Sequence, residues 1–124
     1  MSREPIFSAV EVHPKGWGEE LWISNNEKYC GKILRFNKGA SFSMHYHIKK
    51  EETWCVTKGV LKLEYFDLEK AERLEKELKE GDTGHLLPCT PHQLTAIEDS
   101  VVFEVSTQHF EEDSYRVEKG SSQK

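Results

Sequence analysis

This sequence predicts an all-β fold, a single sandwich or barrel, and three observations lead to it. Short apolar segments recur at close spacing. Several of them alternate apolar and polar residues with period two, and turn-forming residues fall between them. The chain has 124 residues, which suits one domain, leaves no room for a second and allows a core to be buried without staples.

The segments cover residues 32–36, 41–47, 53–57, 60–66, 85–87, 93–97 and 101–106. They are rich in Val, Leu, Phe, Tyr and Thr, which pack well on a pleated, half-buried surface. Between them stand Asn25-Asn26, Asn37-Lys38-Gly39, Lys58-Gly59, Gly81-Asp82 and Glu98-Asp99-Ser100, where hairpins need turn residues. Residues 67–80 are the exception. They are mostly strong helix formers, and Leu68, Ala71, Leu74 and Leu78 make a helical stripe. Within a barrel the segment is expected to form a turn or helical turn near 68–72, then a strand through Leu74 and Leu78 into Gly81, because tertiary context overrides propensity. Composition separates a domain over residues 1–118 from a polar tail, 119–124, expected to be mobile.

The formal net charge is −5 and Lys and Arg are scattered, so a nucleic-acid partner is not expected. No apolar run is long enough to span a bilayer, and residues 1–10 lack the hydrophobic stretch of a secretory signal. Cys30, Cys55 and Cys89 form an odd set with no CxxC pair. They read as packed thiols in a reducing cytoplasm, with a reactive role open only to Cys89, three residues before a candidate metal ligand.

That ligand belongs to a set of four. His45 and His47 stand two apart, and on a strand residues i and i+2 share a face, so one strand can aim two imidazoles at one point. Glu52 follows after a short turn holding Lys49 and Lys50, and its carboxylate can meet the same point from the next strand. His92, just after Pro88 and Pro91, can be brought opposite by a barrel. Neutral imidazoles with one carboxylate suit one divalent ion of Zn, Mn, Fe, Co or Ni and leave positions open for a substrate. The stretch Lys49-Lys50-Glu51 reads as an exposed hairpin turn.

The spacing Gly39-x5-His45-x-His47-x4-Glu52-x6-Gly59 resembles the first motif of the cupin family, and GDTGHLLPCTPHQLTA, residues 81–96, resembles the second through Gly81, Asp82, Pro88 and His92. Cys89 stands where the family often has Gly, Ala96 where it often has Asn, and Leu87 replaces the first of two adjacent prolines. The resemblance implies a double-stranded β-helix, the cupin jelly-roll barrel, with His45, His47, Glu52 and His92 as metal ligands. Glu51 is the rival carboxylate. The gap to Gly59, the alternation Glu52, Trp54, Val56 and the Glu-x-Trp string favour Glu52.

Three stretches also resemble the phosphomannose isomerase domain of type II enzymes. They are Lys15-Gly16-Trp17-Gly18-Glu19, with Gly16 where that group has Pro, then residues 41–59, then the acidic, Tyr- and Arg-containing residues 104–118. The resemblance spans about residues 11–118. It implies aldose–ketose isomerisation of a small-molecule substrate, a sugar or sugar phosphate, by a metal that stabilises charge on substrate oxygens while a base removes a carbon-bound proton. His85 and Glu20 are the candidate bases, Lys15 and Arg116 the candidate phosphate ligands, and Tyr115 a candidate for the mouth. Trp54 is a candidate substrate contact, although Trp17 and Trp54 read first as core aromatics. Arg116 has a competing surface role, paired with Glu112 or Asp113. His13, His85 and His109 read first as solvated or hydrogen-bonded histidines. An iron-dependent dioxygenase with the same ligands and a non-catalytic sugar-binding module are the alternative functions. A small barrel of this kind is expected to dimerise, hiding its sheet edges.

Overall fold

In the computed structural model, residues 3–124 are described, and they form two antiparallel sheets. The strands are β1 (Glu11–Lys15), β2 (Gly18–Asn25), β3 (Cys30–Phe36), β4 (Met44–Tyr46), β5 (Glu52–Lys58), β6 (Val60–Asp67), β7 (Glu72–Lys79), β8 (Thr83–Leu86), β9 (His92–Ala96), β10 (Ser100–Ser106) and β11 (Tyr115–Glu118). One sheet runs β1-β2-β3-β10-β5-β8 and the other β11-β4-β9-β6-β7. After the β1-β2-β3 meander the chain crosses from sheet to sheet at every connection except the β6–β7 hairpin, giving the jelly roll expected from the motifs. No helix among the described residues is long and apolar enough to cross a membrane.

The interior follows from strand parity. Phe36 and Leu34 on β3, Val102 on β10, and Val56 and Trp54 on β5 point inward with Leu61, Leu63, Leu94 and Leu78 from the facing sheet. Trp17 stacks on Phe36, centroids 4.5 Å apart. The same inward rows then change character. Two residues beyond Leu34 stands Lys32, two beyond Val102 stands Glu104, and two beyond Trp54 stands Glu52, all buried. One end of the barrel is therefore a packed apolar core and the other a buried polar cavity.

Residues 67–80 resolve in favour of pairing. β6 and β7 form a continuous hairpin from Val60↔Lys79 to Asp67↔Glu72. Asp67 Oδ1 accepts the backbone N–H groups of Glu69 and Lys70 at its tip. Leu78 is buried in the core and Leu74 half-buried, so burial of the leucine face outweighs helix propensity. At the turn that carries the chain from β5 across to β6, Gly59 takes φ +88°, and a Cβ there would collide with Ser100, so only glycine fits.

The C-terminal residues return to the barrel. A short 3-10 helix, Ser121–Gln123, follows Gly120. Ser121 N–H donates to Ser41 O at 2.8 Å and Ser41 N–H to Ser121 Oγ at 2.9 Å. Gly16 N–H donates to Ser122 Oγ at 2.9 Å, and a Cβ at Gly16 would stand 2.6 Å from Ser121 O. Composition suggests mobility for 119–124, but backbone partners offered by residues far away in sequence tie this segment down. The missing side chain at Gly16 is what makes room for it. The three cysteines are free, with Cys30 buried, Cys55 half-buried and Cys89 exposed.

Candidate metal centre

The cavity at the polar end has a volume of about 730 Å³, and His45, His47, Glu52 and His92 all line it. β4 and β9 pair with His45 directly opposite His92, and β11 places Arg116 opposite His45 on the other side. Paired residues share a face of the sheet, so Arg116, His45 and His92 form one row pointing into the barrel. His47 follows two residues after His45, and Glu52 opens β5.

The three imidazoles are oriented alike. His45 Nδ1–H donates to Ser43 O at 2.6 Å, His47 Nδ1–H to Asp113 O at 2.6 Å, and His92 Nδ1–H to Thr90 O at 2.8 Å. A carbonyl oxygen only accepts, so Nδ1 carries the proton in each ring and Nε2 is left as a lone-pair donor. Burial, with His47 nearby, lowers the pKa of His45 to about 4; burial also lowers that of His47, and takes that of His92 well below the usual histidine range. All three are therefore neutral at pH 7, the state in which imidazole binds metal. One ring nitrogen from each lies within 4.8 Å of the others.

Glu52 stands beside this cluster, with Oε2 3.5 Å from His47 Nε2. Burial, reinforced by Glu104, pushes its pKa up to about 8. Glu52 Oε2 and His92 Nε2 are buried with no hydrogen-bond partner. Buried polar atoms without partners cost several kcal/mol unless something occupies the space between them. The donor set is that of a borderline divalent ion, so the three-histidine group can hold a metal. Glu51 faces away from the cavity, with Oε2 2.6 Å from His85 Nε2 on the outside of the barrel.

Behind the cluster lies a chain of buried charges. Lys50 Nζ meets Glu104 Oε2 at 2.6 Å and Lys32 Nζ meets Glu20 Oε1 at 3.4 Å, while Lys32 and Glu104 are cross-strand partners. Burial opposes the charge on Lys50, but Glu104 and Glu52 outweigh it and hold its pKa above the usual lysine range. Burial likewise opposes charge on Glu104 and Glu20, and Lys50 and Lys32 respectively reverse the effect, leaving both carboxyls below their ordinary values. Trp22 Nε1–H donates to Glu20 Oε1 at 2.8 Å, and Lys32 Nζ lies 4.3 Å over the Trp22 ring.

The other residues singled out from sequence divide into two groups. Lys15, Glu20, Tyr115 and Arg116 line the cavity with the four candidate ligands. His85 does not, because it shares the outer face of its sheet with Thr53, its cross-strand partner, while neighbouring Leu86 points in. Trp54 is also absent from the cavity wall. It is 1% exposed and packs edge-on to His92 in the core. Arg116 makes no ion pair with Glu112 or Asp113. The Asp113 carboxylate instead caps backbone N–H groups of Ile48, Lys49 and Lys50. The Lys49-Lys50-Glu51 turn is not uniformly exposed as expected, since Lys50 turns inward to Glu104 and is 5% exposed.

Sequence reading missed Lys32, Lys50, Glu104, Asp113 and His109 as parts of the site. Lys32 and Glu104 were findable, because each lies two residues from a core position on its strand. Lys50, Asp113 and His109 carry no such signal.

Comparison with solved structures gives the same architecture. An oxalate decarboxylase from Bacillus subtilis superposes with a TM-score of 0.78 at 20% identity, covering 87% of this chain and 30% of its own. A second structure of that enzyme, studied for its Mn(II) centres, gives 0.76 at 17% identity, with coverage of 87% and 30%. The capsular polysaccharide assembling protein CapF from Staphylococcus aureus gives 0.78 at 15% identity, covering 90% of this chain and 32% of its own. The chain thus spans about a third of the length of these structures, and at such identities the likeness is one of fold. No curated protein matches the sequence. The sequence does match the Cupin family over residues 19–122, from the start of β2 through the candidate ligands to the C-terminal turn, and the chain belongs to that family.

Proposed function

We propose that this chain is a metal-dependent cupin acting on a small sugar or sugar phosphate by aldose–ketose isomerisation. One observation carries the reading. Three neutral imidazoles and the buried Glu52 carboxyl, whose Oε2 has no hydrogen-bond partner, converge in a cavity of about 730 Å³ that Lys15 and Arg116 also line. His45, His47, Glu52 and His92 would hold one divalent ion of the Zn, Mn, Fe, Co or Ni group. Such an ion would supply Lewis acidity toward a carbonyl and its neighbouring hydroxyl. The Mn(II) centres of the oxalate decarboxylase neighbour and the polysaccharide role named for CapF are in keeping with this.

The chain's own residues would do the rest. Arg116 and Lys15, neither held in an ion pair with a protein carboxylate, offer charge-assisted hydrogen bonds to a phosphate. Tyr115 stacks on Tyr46, centroids 5.2 Å apart, and lines the entrance beside them. Glu20 is held ionised by Lys32 and the Trp22 N–H and faces the cavity, which makes it the better placed of the two candidate bases; His85 lies outside. The enclosing walls limit water around the reacting carbons.

We also read the protein as a homodimer. Across the outer face of the six-stranded sheet, Val12, Leu21, Ile33, Phe103 and Cys55 are successive cross-strand neighbours, and Val12 and Phe103 are exposed. A contiguous apolar row of this kind favours burial against a second copy.

The deciding experiment pairs elemental analysis of protein purified without added metal with NMR detection of C2-proton exchange into D2O over a panel of sugar phosphates. Metal-dependent exchange, abolished in Glu20→Gln, supports the isomerase. Bound iron with O2 uptake and no exchange would overturn it in favour of a dioxygenase. Metal-dependent sugar binding without turnover would overturn it in favour of a binding module.

A further inference from the structure

We infer that Asp113 is the positioning residue of the metal centre, fastening the loop before β11 to the turn that joins two of the candidate ligands. The inference rests on the metal reading above and adds a residue that neither motif contains.

Asp113 is 3% exposed, yet no lysine or arginine neutralises it. Its carboxylate is satisfied by the backbone. Oδ1 accepts N–H from Ile48 at 2.9 Å and Lys49 at 3.1 Å, and Oδ2 accepts from Lys49 at 3.2 Å and Lys50 at 3.1 Å. These are three successive amides in the short turn between His47 and Glu52. The same residue's carbonyl accepts the Nδ1–H of His47 at 2.6 Å. Its own N–H donates to Phe110 O at 3.0 Å, which holds the loop in its turn.

One side chain therefore does two jobs. It sets the path of the turn, hence the spacing at which His47 and Glu52 enter the cavity. It also pins the Asp113 backbone where its carbonyl selects the His47 tautomer that frees Nε2. His45 and His92 take their carbonyls from residues two positions before them. His47 alone takes its carbonyl from a segment 66 residues away. A local hydrogen bond survives a loop movement, but a distant one does not, so His47 is the ligand that depends on this fastening. The loop leads directly into β11, which carries Tyr115 and Arg116, so the same fastening ties the far wall of the cavity to the ligand strand.

The test compares wild type, Asp113→Asn and Asp113→Ala by Zn2+ titration calorimetry and by long-range 15N–1H NMR of the histidine rings in metal-free protein. Asp113→Ala should weaken Zn2+ binding about 10- to 100-fold, the usual effect of losing an orienting partner. Asp113→Asn keeps one acceptor oxygen and should fall between. In metal-free Asp113→Ala the His47 ring should populate both tautomers, while His45 and His92 keep Nδ1–H. Wild-type Zn2+ affinity in folded Asp113→Ala, or an unchanged His47 tautomer, would overturn the inference. Should Asp113→Ala fail to fold, the same two readings on Asp113→Asn decide. If wild type itself binds no Zn2+ or other divalent ion, the proposed function falls, and the His47 tautomer still decides the role of Asp113.

Discussion

Lys50 Nζ lies 2.6 Å from Glu104 Oε2 inside the barrel, and neither side chain is more than 5% exposed. Removing one partner of such a pair strands the other charge in a low-dielectric site. Lys50→Met should cost about 3–5 kcal/mol in urea unfolding. The double variant Lys50→Met/Glu104→Leu should recover most of that loss, since a matched apolar replacement leaves no orphan. Arg73 is the contrasting case. It pairs with Glu64 and Glu118 on the surface, and Arg73→Ala should cost less than about 1 kcal/mol. Equal losses at Lys50 and Arg73 would contradict the buried placement.

The stability of metal-free protein should peak near pH 7. Burial lowers the folded pKa of His45 to about 4 from 6.5, and lowers those of His47, His92 and His109 as well. The unfolded chain therefore binds more protons than the folded one between pH 6.5 and about 4, and stability falls as pH falls through that window. Glu52 acts with the opposite sign. Its folded pKa, raised from 4.5 to about 8 by burial, means the folded chain holds the extra proton, so stability falls as pH rises toward 8. Near pH 7 the residual protons on four unfolded histidines balance the one held by folded Glu52; below that the histidines dominate, and above it the carboxyl does. Urea midpoints from pH 4 to 8.5 should trace this peak, and Glu52→Gln should flatten its alkaline side.

Metal removal should separate the candidate ligands from the rest of the barrel. Stripping with a chelator should lower the melting temperature of wild type and leave His47→Ala nearly unmoved, because a ligand bound only to the folded state stabilises it by mass action. At 1,000 times the dissociation constant that contribution is about 4 kcal/mol. Unchanged metal content in His47→Ala would remove this residue from the ligand set.

Cys89 has φ +68°, a left-handed conformation that favours glycine. Its N–H donates to His47 O at 2.6 Å, so the turn is held in place by the ligand strand. Cys89→Gly should relieve the strain and raise stability by up to about 1 kcal/mol, the steric cost of the left-handed region less the added freedom of the unfolded chain. Thermal unfolding checks this, and a loss of stability would show that the thiol contributes more than the backbone conformation costs.

Much of the architecture was legible in one dimension. The alternation Glu52, Trp54, Val56 identifies an inward face, and all three residues are buried. Leu74 and Leu78 mark a strand even inside a run of helix formers. The glycines 39, 59 and 81 take positive φ where turns were expected. Parity also carried His45 and His47 to one face. It misled where depth and loop path mattered. Trp54 shares its face with Glu52 but sits lower, in the apolar core, and His85 is one residue out of phase with Leu86, so it faces out to Glu51.

Local order along the chain thus determined which side each strand residue faces, where the strands turn and which residues have the chemistry to bind a metal. Only the closed pair of sheets decided which of those residues meet. Strand parity is a period of two along one segment, whereas convergence depends on which strands become neighbours after the chain has crossed between sheets. The burial of Lys32, Lys50 and Glu104 was decided there too. A charge enters an interior only where partners from a distant part of the chain are waiting: Lys50 meets Glu104, and the Asp113 carboxylate finds backbone amides more than sixty residues away.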